Sequence, residues 1–217
     1  MDKYFGITTV KKYVRKGLSK VALWLHKISG GRITPNGVTW FGLIMHLPIG
    51  YLIAVGEFYW AVPLLIIFGL FDVLDGELAR LTGKANAAGM VLDAFTDRLK
   101  ETIIHAGLTF WLATSSVPEL AIIPAIALGF SLSTNFLKAK AEVAYSVIHK
   151  GKIDQHTLNR KFSDGALSFE LRITLIIVAL LIGTVPAIVV VEILIAIGAW
   201  QTPRDTCAII DAINPKS

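Results

Sequence analysis

The sequence has 217 residues, which suits a single domain, and 54% of them are hydrophobic. The mean hydropathy of +0.62 indicates a membrane protein rather than a cytosolic one, although 17% of the residues are charged and the net charge is +5. The single cysteine, Cys207, excludes an internal disulfide and a multi-cysteine metal site.

The first segment, residues 7–29, combines an apolar stripe with many basic residues. Apolar residues recur there at spacings of three and four, which is the period of a helix, and lysines and arginines occupy much of the remaining surface. We expect an amphipathic helix that lies in the membrane interface against anionic lipid and ends at Gly30. The stretch lacks the pattern of a cleavable signal peptide. Nucleic-acid binding is not expected, because the helix has an apolar face and membrane spans adjoin it.

Six apolar stretches follow, and each is expected to form a transmembrane helix because about 20 residues cross the hydrocarbon core. Their approximate ranges are 37–55, 58–81, 87–113, 117–143, 169–182 and 185–200. The predicted fold is therefore all-α and polytopic. It has a basic juxtamembrane segment over 1–36, a six-helix membrane domain over 37–201 and a C-terminal tail over 202–217.

The basic residues predict the orientation of these helices. Of the 21 lysines and arginines, 8 precede Asn36, 4 lie around the turn between the second and third spans, 7 lie from Lys138 to Arg172, and 2 follow Trp200. None falls in the three opposite connections. The positive-inside rule therefore places both termini, the end of the second span and the start of the third span on the cytoplasmic side of the cell membrane.

Four acidic residues lie at those ends. Asp72 and Asp75 are three residues apart near the end of the second span, and Asp93 and Asp97 are four apart near the start of the third. Each pair shares one face of a helix, and charge inside a membrane usually marks a functional site. Converging carboxylates repel one another unless a hard cation such as Mg²⁺, Mn²⁺ or Ca²⁺ is bound. A pair of helices with acids in a water-filled vestibule is the alternative.

These acids belong to a longer pattern, D-x2-D-G-x2-A-R-x8-G-x3-D-x3-D, which runs from Asp72 to Asp97 with every fixed position filled. The pattern resembles the signature of the CDP-alcohol phosphatidyltransferase family. The resemblance implies an enzyme that moves a phosphatidyl or archaetidyl group from a CDP-diacylglycerol-type lipid to an alcohol and releases CMP. It also implies two divalent cations, Mg²⁺ or Mn²⁺, bound by Asp72, Asp75, Asp93 and Asp97, with Asp97 as the proton acceptor. A homodimer is implied as well.

The resemblance further implies residues that contact the CDP moiety. Gly76 and Gly89 would let the nucleotide approach the backbone closely, although small residues also serve helix packing. Arg80 would bind a phosphate through its planar guanidinium, although an arginine at a helix end can also reach the interface. The remaining expected contacts are Thr34, Asn36 and Asn86.

The acceptor is expected to be a polyol phosphate. The run Lys138-Ala139-Lys140-Ala141-Glu142 resembles a Lys-Ala-Arg-Ala-Glu run in phosphatidylinositol phosphate and archaetidylinositol phosphate synthases. Lys138, Lys140 and Arg172 would then bind the acceptor phosphate. The residues before the fifth span, Ser-Phe-Glu-Leu-Arg, depart from the Glu-Arg-Pro-Glu-Arg usual in those enzymes. A pure topology signal is the alternative for the lysines.

Other functions remain open at this point. Phosphatidylglycerophosphate synthase, or another CDP-alcohol phosphotransferase, would share the same motif with a different acceptor. A cation transporter would use the acids as an ion site, but such sites lie near the bilayer midplane between repeats, and no inverted repeat is visible here. A non-catalytic relic of the fold is disfavoured by the complete set of four acids.

Overall fold

The computed structural model describes residues 5–148 and 169–213, and side-chain exposure is described within residues 16–147 and 171–200. Within those ranges every regular element is helical, as predicted. The elements are α1 (Phe5–Ile28), α2 (Pro35–Ala54), α3 (Phe58–Gly69), α4 (Phe71–Leu81), α5 (Ala87–Ala113), a 3₁₀ turn (Pro118–Ala121), α6 (Ile122–Ile148), α7 (Phe169–Ile182) and α8 (Val185–Ile213). The sequence also predicts a hydrophilic loop over 150–161, between the fourth and fifth spans, and this segment lies outside the described residues.

The expected N-terminal helix is present as α1, and it packs on α4. A buried apolar cluster, formed by Ala22, Val38, Leu74 and Leu78, joins α1 and α4 to the start of α2. The helix ends where Gly30 and Gly31 adopt positive φ values of 57° and 79°, a conformation that glycine adopts without steric cost. The position of α1 in a membrane interface stays a prediction.

The second predicted span, 58–81, is divided into two helices at Leu70. The Leu70 N–H donates to the carbonyls of both Ile66 and Ile67, at 3.3 and 3.2 Å, so the helix tightens locally after Gly69 and then resumes. Both acids of this span lie in α4, beyond the break. The interruption was not predicted, because one glycine in an apolar run is a weak signal.

Three helical segments of the described ranges are long and apolar enough to cross a membrane: Pro35–Ala54, Phe58–Leu81 and Pro118–Ala144. Two shorter apolar helical segments are Leu171–Ile182 and Val185–Trp200. The remaining predicted span, 87–113, forms one continuous helix, α5, whose first half carries the charged residues of the motif. The full set of six spans therefore stays a proposal.

The last helix is longer than predicted. It was expected to end at residue 200, before Pro203, yet α8 continues to Ile213 through much of the predicted tail. Proline has no N–H, so Pro203 cannot donate to the carbonyl four residues earlier, that of Ala199. The Thr134 hydroxyl donates to that carbonyl at 3.0 Å. This bond from α6 replaces the missing helical bond and lets the helix continue.

The chain divides into two units, Met1–Ile104 and His105–Ser217, with the boundary inside α5. In the first unit α2 packs on α3 and α4, and Gly50 of α2 lies directly against Ile103 of α5. In the second unit α8 packs on α6 and α7. There the buried His105 Nε2 lies 3.2 Å from a carboxylate oxygen of Glu192.

Candidate metal centre

Helices α4 and α5 bring three of the four motif acids together. Carboxylate oxygens of Asp72, Asp75 and Asp93 all lie within 4.8 Å of one another. Oxygen ligands sit about 2.0–2.6 Å from Mg²⁺ or Ca²⁺, so this spacing can accommodate one cation between them. The three acids come from two helices, so the site depends on how α4 packs beside the start of α5.

The fourth acid, Asp97, lies one turn beyond Asp93 on α5 and outside that group of three. Its Oδ1 is 3.6 Å from the Lys100 ammonium. Among the described residues, Oδ1 of Asp93 and Oδ1 of Asp97 are buried without a hydrogen-bond partner. A buried carboxylate oxygen without a partner is costly, and a bound cation would satisfy it. The donor set therefore fits the divalent cations that were predicted.

The carboxylate of Asp75 is held by a residue that the sequence did not single out. The Thr39 hydroxyl on α2 donates to Asp75 Oδ2 at 2.5 Å, and both residues are buried. Hydrogen bonds of this kind orient metal-binding carboxylates. Thr39 was missed because a threonine within an apolar helix commonly bonds its own backbone, and its hydroxyl also lies 3.2 Å from the Pro35 carbonyl.

A buried lysine lies among the acids. The Lys100 ammonium donates to Oδ1 of Asp72 and also lies near Asp97, and only 2% of the residue is exposed. From the sequence, Lys100 was interpreted only as one of the basic residues that set the orientation. Its position three residues after Asp97, on the same face of an apolar helix, was a signal that could have identified it.

A second set of contacts, through Glu77, holds Arg80 in place. Arg80 Nη2 donates to Glu77 Oε1 at 2.6 Å, and the other oxygen of Glu77 accepts a hydrogen bond from Ser19 of α1, also at 2.6 Å. The guanidinium lies over Gly76, where an added Cβ would be 3.4 Å from Nη2. Glu77 was also missed, because it occupies a variable position of the motif.

The other expected CDP contacts lie at the starts of helices. Thr34 caps α2 by accepting a hydrogen bond from the Gly37 N–H at 3.1 Å, and Asn36 is exposed in the first turn. Asn86 precedes α5 and accepts from the Gly89 N–H at 2.8 Å. Caps at exposed helix starts have a structural role of their own, and helix N-termini also favour anionic groups.

The three candidate acceptor residues lie on α6 and α7. Arg172 is buried in the first turn of α7, and Lys138 is half-buried on α6. The exposed Lys140 has its ammonium 5.6 Å from the centre of the Phe136 ring. Residues two apart do not share a helix face, so α6 directs Lys138 and Lys140 to different sides.

The family model described as CDP-alcohol phosphatidyltransferase matches residues 32–202, which include every motif position. Among curated relatives, phosphatidylinositol phosphate synthase of Mycolicibacterium smegmatis is 36% identical over 115 residues, which cover 52% of this chain and 51% of that protein. The synthase of Corynebacterium glutamicum is 28% identical over 127 residues, covering 57% and 58%. The chain therefore spans about half the length of the curated relatives it matches.

Solved structures share the fold. The crystal structure of Mycobacterium tuberculosis phosphatidylinositol phosphate synthase with CDP-DAG bound matches with a TM-score of 0.75 and 23% identity, over 92% of this chain and 98% of that chain. The same protein in complex with manganese and citrate matches with a TM-score of 0.68 and 23% identity, over 90% and 88%.

Proposed function

The chain belongs to the CDP-alcohol phosphatidyltransferase family, and we propose that it transfers a phosphatidyl-type group from a CDP-lipid to the hydroxyl of a polyol phosphate, releasing CMP. The family and the long apolar helices identify it as a membrane protein. The observation that carries the proposal is the convergence of Asp72, Asp75 and Asp93 within 4.8 Å, in the register of a complete family motif.

The four motif acids would hold divalent cations, Mg²⁺ or Mn²⁺, which would neutralise the pyrophosphate charge and stabilise the departing CMP. The structure with manganese and citrate belongs to a similar protein and supports this assignment. Asp97 is the proposed proton acceptor for the attacking hydroxyl. Its Oδ1 accepts no hydrogen bond among the described residues and has the Lys100 ammonium 3.6 Å away as an ion-pair partner, which leaves a lone pair for a proton or a cation.

The CDP moiety is proposed to bind where α4 and the starts of α2 and α5 present Gly76, Arg80, Thr34, Asn36 and Asn86. Arg80 is half exposed, and its guanidinium is oriented by Glu77 in front of a glycine that adds no side chain. A preoriented guanidinium suits bidentate recognition of a phosphate. The solved structure of a similar protein with CDP-DAG supports a CDP-lipid as the substrate.

The acceptor is proposed to be inositol phosphate first and glycerol phosphate second. Arg172 together with one of the two lysines, Lys138 or Lys140, would serve a phosphate monoester but not a neutral alcohol, because α6 directs the two lysines to different sides. The curated relatives named phosphatidylinositol phosphate synthase support this order. We place Arg172 first among these residues because its planar guanidinium suits bidentate recognition of a phosphate better than the point charge of a lysine.

For the arrangement in the membrane we propose six spans, both termini in the cytoplasm, and the acids at the cytoplasmic face of the cell membrane. The one-sided distribution of the basic residues supports this orientation. A homodimer remains part of the proposal on the family resemblance alone.

The direct test measures CMP release by the purified protein from CDP-diacylglycerol. Four acceptors are compared: inositol phosphate, glycerol phosphate, inositol and serine, each with Mg²⁺, with Mn²⁺ or with EDTA. We expect metal-dependent CMP release with inositol phosphate as the best acceptor. Absence of CMP release with every acceptor would reject the transferase and leave ion transport to be tested. A preference for inositol or serine would reject only the phosphorylated acceptor.

Variants of the basic residues test the acceptor site separately. Arg172→Ala is expected to raise the acceptor KM by about tenfold or more while the CDP-lipid KM changes little, because it removes a charge-assisted contact to one substrate. Lys152→Ala, in the hydrophilic loop predicted over 150–161, is the control and should leave the acceptor KM unchanged. If Arg172→Ala and the wild type have equal acceptor KM values, Arg172 does not bind the acceptor, and the basic residues serve only to orient the protein in the membrane.

A further inference from the structure

The acidic centre contains a cation of its own. The ammonium of Lys100 contacts Asp72 and lies 3.6 Å from Asp97, and the residue is almost completely buried. A buried ammonium far from water is tolerated only when anionic partners compensate the lost hydration. In return, the ammonium offsets repulsion between the clustered carboxylates. The lysine and the acids therefore stabilise one another.

The same lysine opposes a divalent cation. Asp72 supplies an oxygen to the group of three acids that can surround a cation, and the Lys100 ammonium donates to this carboxylate. An oxygen lone pair shared with an ammonium is a poorer metal ligand, and two positive charges beside one carboxylate repel each other strongly in a partly buried site. Binding of a divalent cation therefore requires the ammonium to give up part of its contact with Asp72.

We propose that Lys100 is the resident counter-cation of the centre: it holds Asp72 and Asp97 in place in the metal-free protein and competes with divalent cations for Asp72. It is a positioning residue that acts through the acids. The inference rests on the proposed function in one respect, namely that these acids bind divalent cations. Its consequence is a site that is assembled before metal binds and whose metal affinity is set by the strength of the Lys100 contact.

The test compares Lys100→Met with Lys84→Met, which removes the same charge from an exposed position between α4 and α5. Mn²⁺ binding is measured by titration calorimetry, and the unfolding temperature is measured in EDTA and in saturating Mn²⁺. We expect Lys100→Met to bind Mn²⁺ about tenfold more tightly, because the competing charge is gone. It should unfold at a lower temperature than the wild type in EDTA and be stabilised more by Mn²⁺. Lys84→Met should match the wild-type affinity within about twofold, as expected for an exposed, screened charge.

An unchanged or weaker Mn²⁺ affinity of Lys100→Met would overturn the proposal and leave Lys100 a packing or substrate-binding residue. Equal effects of the two lysine changes would also overturn it. If Lys100→Met yields no folded protein, the double variant Lys100→Met/Asp72→Asn decides, because it removes both charges of the pair. Recovery of folded protein supports the counter-cation role, and failure to recover contradicts it.

These outcomes are separable from those of the proposed function. A wild-type protein that binds no Mn²⁺ would contradict the metal assignment itself. A wild-type protein that binds Mn²⁺ and releases CMP, with Lys100→Met unchanged in Mn²⁺ affinity, would contradict only the role of Lys100.

Discussion

Substitution of Gly50 by alanine should disturb the contact that positions the acid-bearing helix α5. A Cβ at Gly50 would lie 2.5 Å from Cγ2 of Ile103 and 3.1 Å from its backbone oxygen. Carbon atoms pack at about 3.5–4.0 Å, so the overlap with Cγ2 is about 1 Å. Ile103 is β-branched and stiff, and its backbone oxygen cannot rotate away. The two helices must therefore separate.

The size of the effect follows from two opposing contributions. Overpacking of this kind costs about 1–3 kcal/mol, whereas replacing a helical glycine by alanine gains up to about 1 kcal/mol. Gly69→Ala is the matched control, because a Cβ there meets nothing within 4 Å. At about 2–4 °C per kcal/mol, we expect Gly50→Ala to unfold several degrees below Gly69→Ala.

Turnover should fall as well, since α5 carries Asp93 and Asp97 while α4 carries the other two acids. A displacement of about 1 Å in a catalytic arrangement can cost about a hundredfold in rate. CMP release is the assay, and the Gly69→Ala rate is the reference. If Gly50→Ala matches Gly69→Ala in both unfolding temperature and rate, then the close approach of α2 and α5 does not position the acids.

Three further predictions concern single residues. Asp97→Asn should release CMP at least about a hundredfold more slowly while the protein remains folded, and near-normal turnover would contradict its role as base. Glu77→Gln should raise the KM for the CDP-lipid by about three- to tenfold, because Arg80 loses its ionic partner; a change confined to the acceptor KM would refute this. In a background without the native cysteine, a cysteine at Glu57 should react only with reagent added outside, and one at Lys84 only with reagent added inside. The reverse result would invert the topology.

The sequence predicted the helices well because hydrophobic runs and helical spacing are local signals. It did not predict the two irregularities, and each has a cause that local patterns do not show. The break at Leu70 follows a single glycine in an apolar run. The extension of α8 past Pro203 depends on Thr134, which lies on another helix and supplies the hydrogen bond that proline cannot.

The sequence pointed to the acids of the candidate site but not to the residues that contact them. The spacing predicted that Asp72 and Asp75 share one helix face and that Asp93 and Asp97 share another. The family resemblance implied that the two pairs meet, and the structure brings Asp72, Asp75 and Asp93 together. The contacts of Thr39 and Lys100 with those acids connect residues that are 36 and 28 positions apart in the chain. The contacts with Asp75 and Asp72 depend on which helices pack together, and no local pattern contains that information. Only the proximity of Lys100 to Asp97, three residues away on α5, was visible in the spacing.

The distribution of satisfied and unsatisfied oxygens separates two kinds of acid in this part of the chain. Both oxygens of Glu77 are bonded, one to Ser19 and one to Arg80, as expected for an acid that holds helices and an arginine in place. Asp93 and Asp97 each keep a buried oxygen without a hydrogen-bond partner among the described residues. A site built only for helix packing would satisfy these oxygens, because burying them unpaired costs free energy. Oxygens that no protein group satisfies need another partner, and a divalent cation bound by the motif acids would supply one.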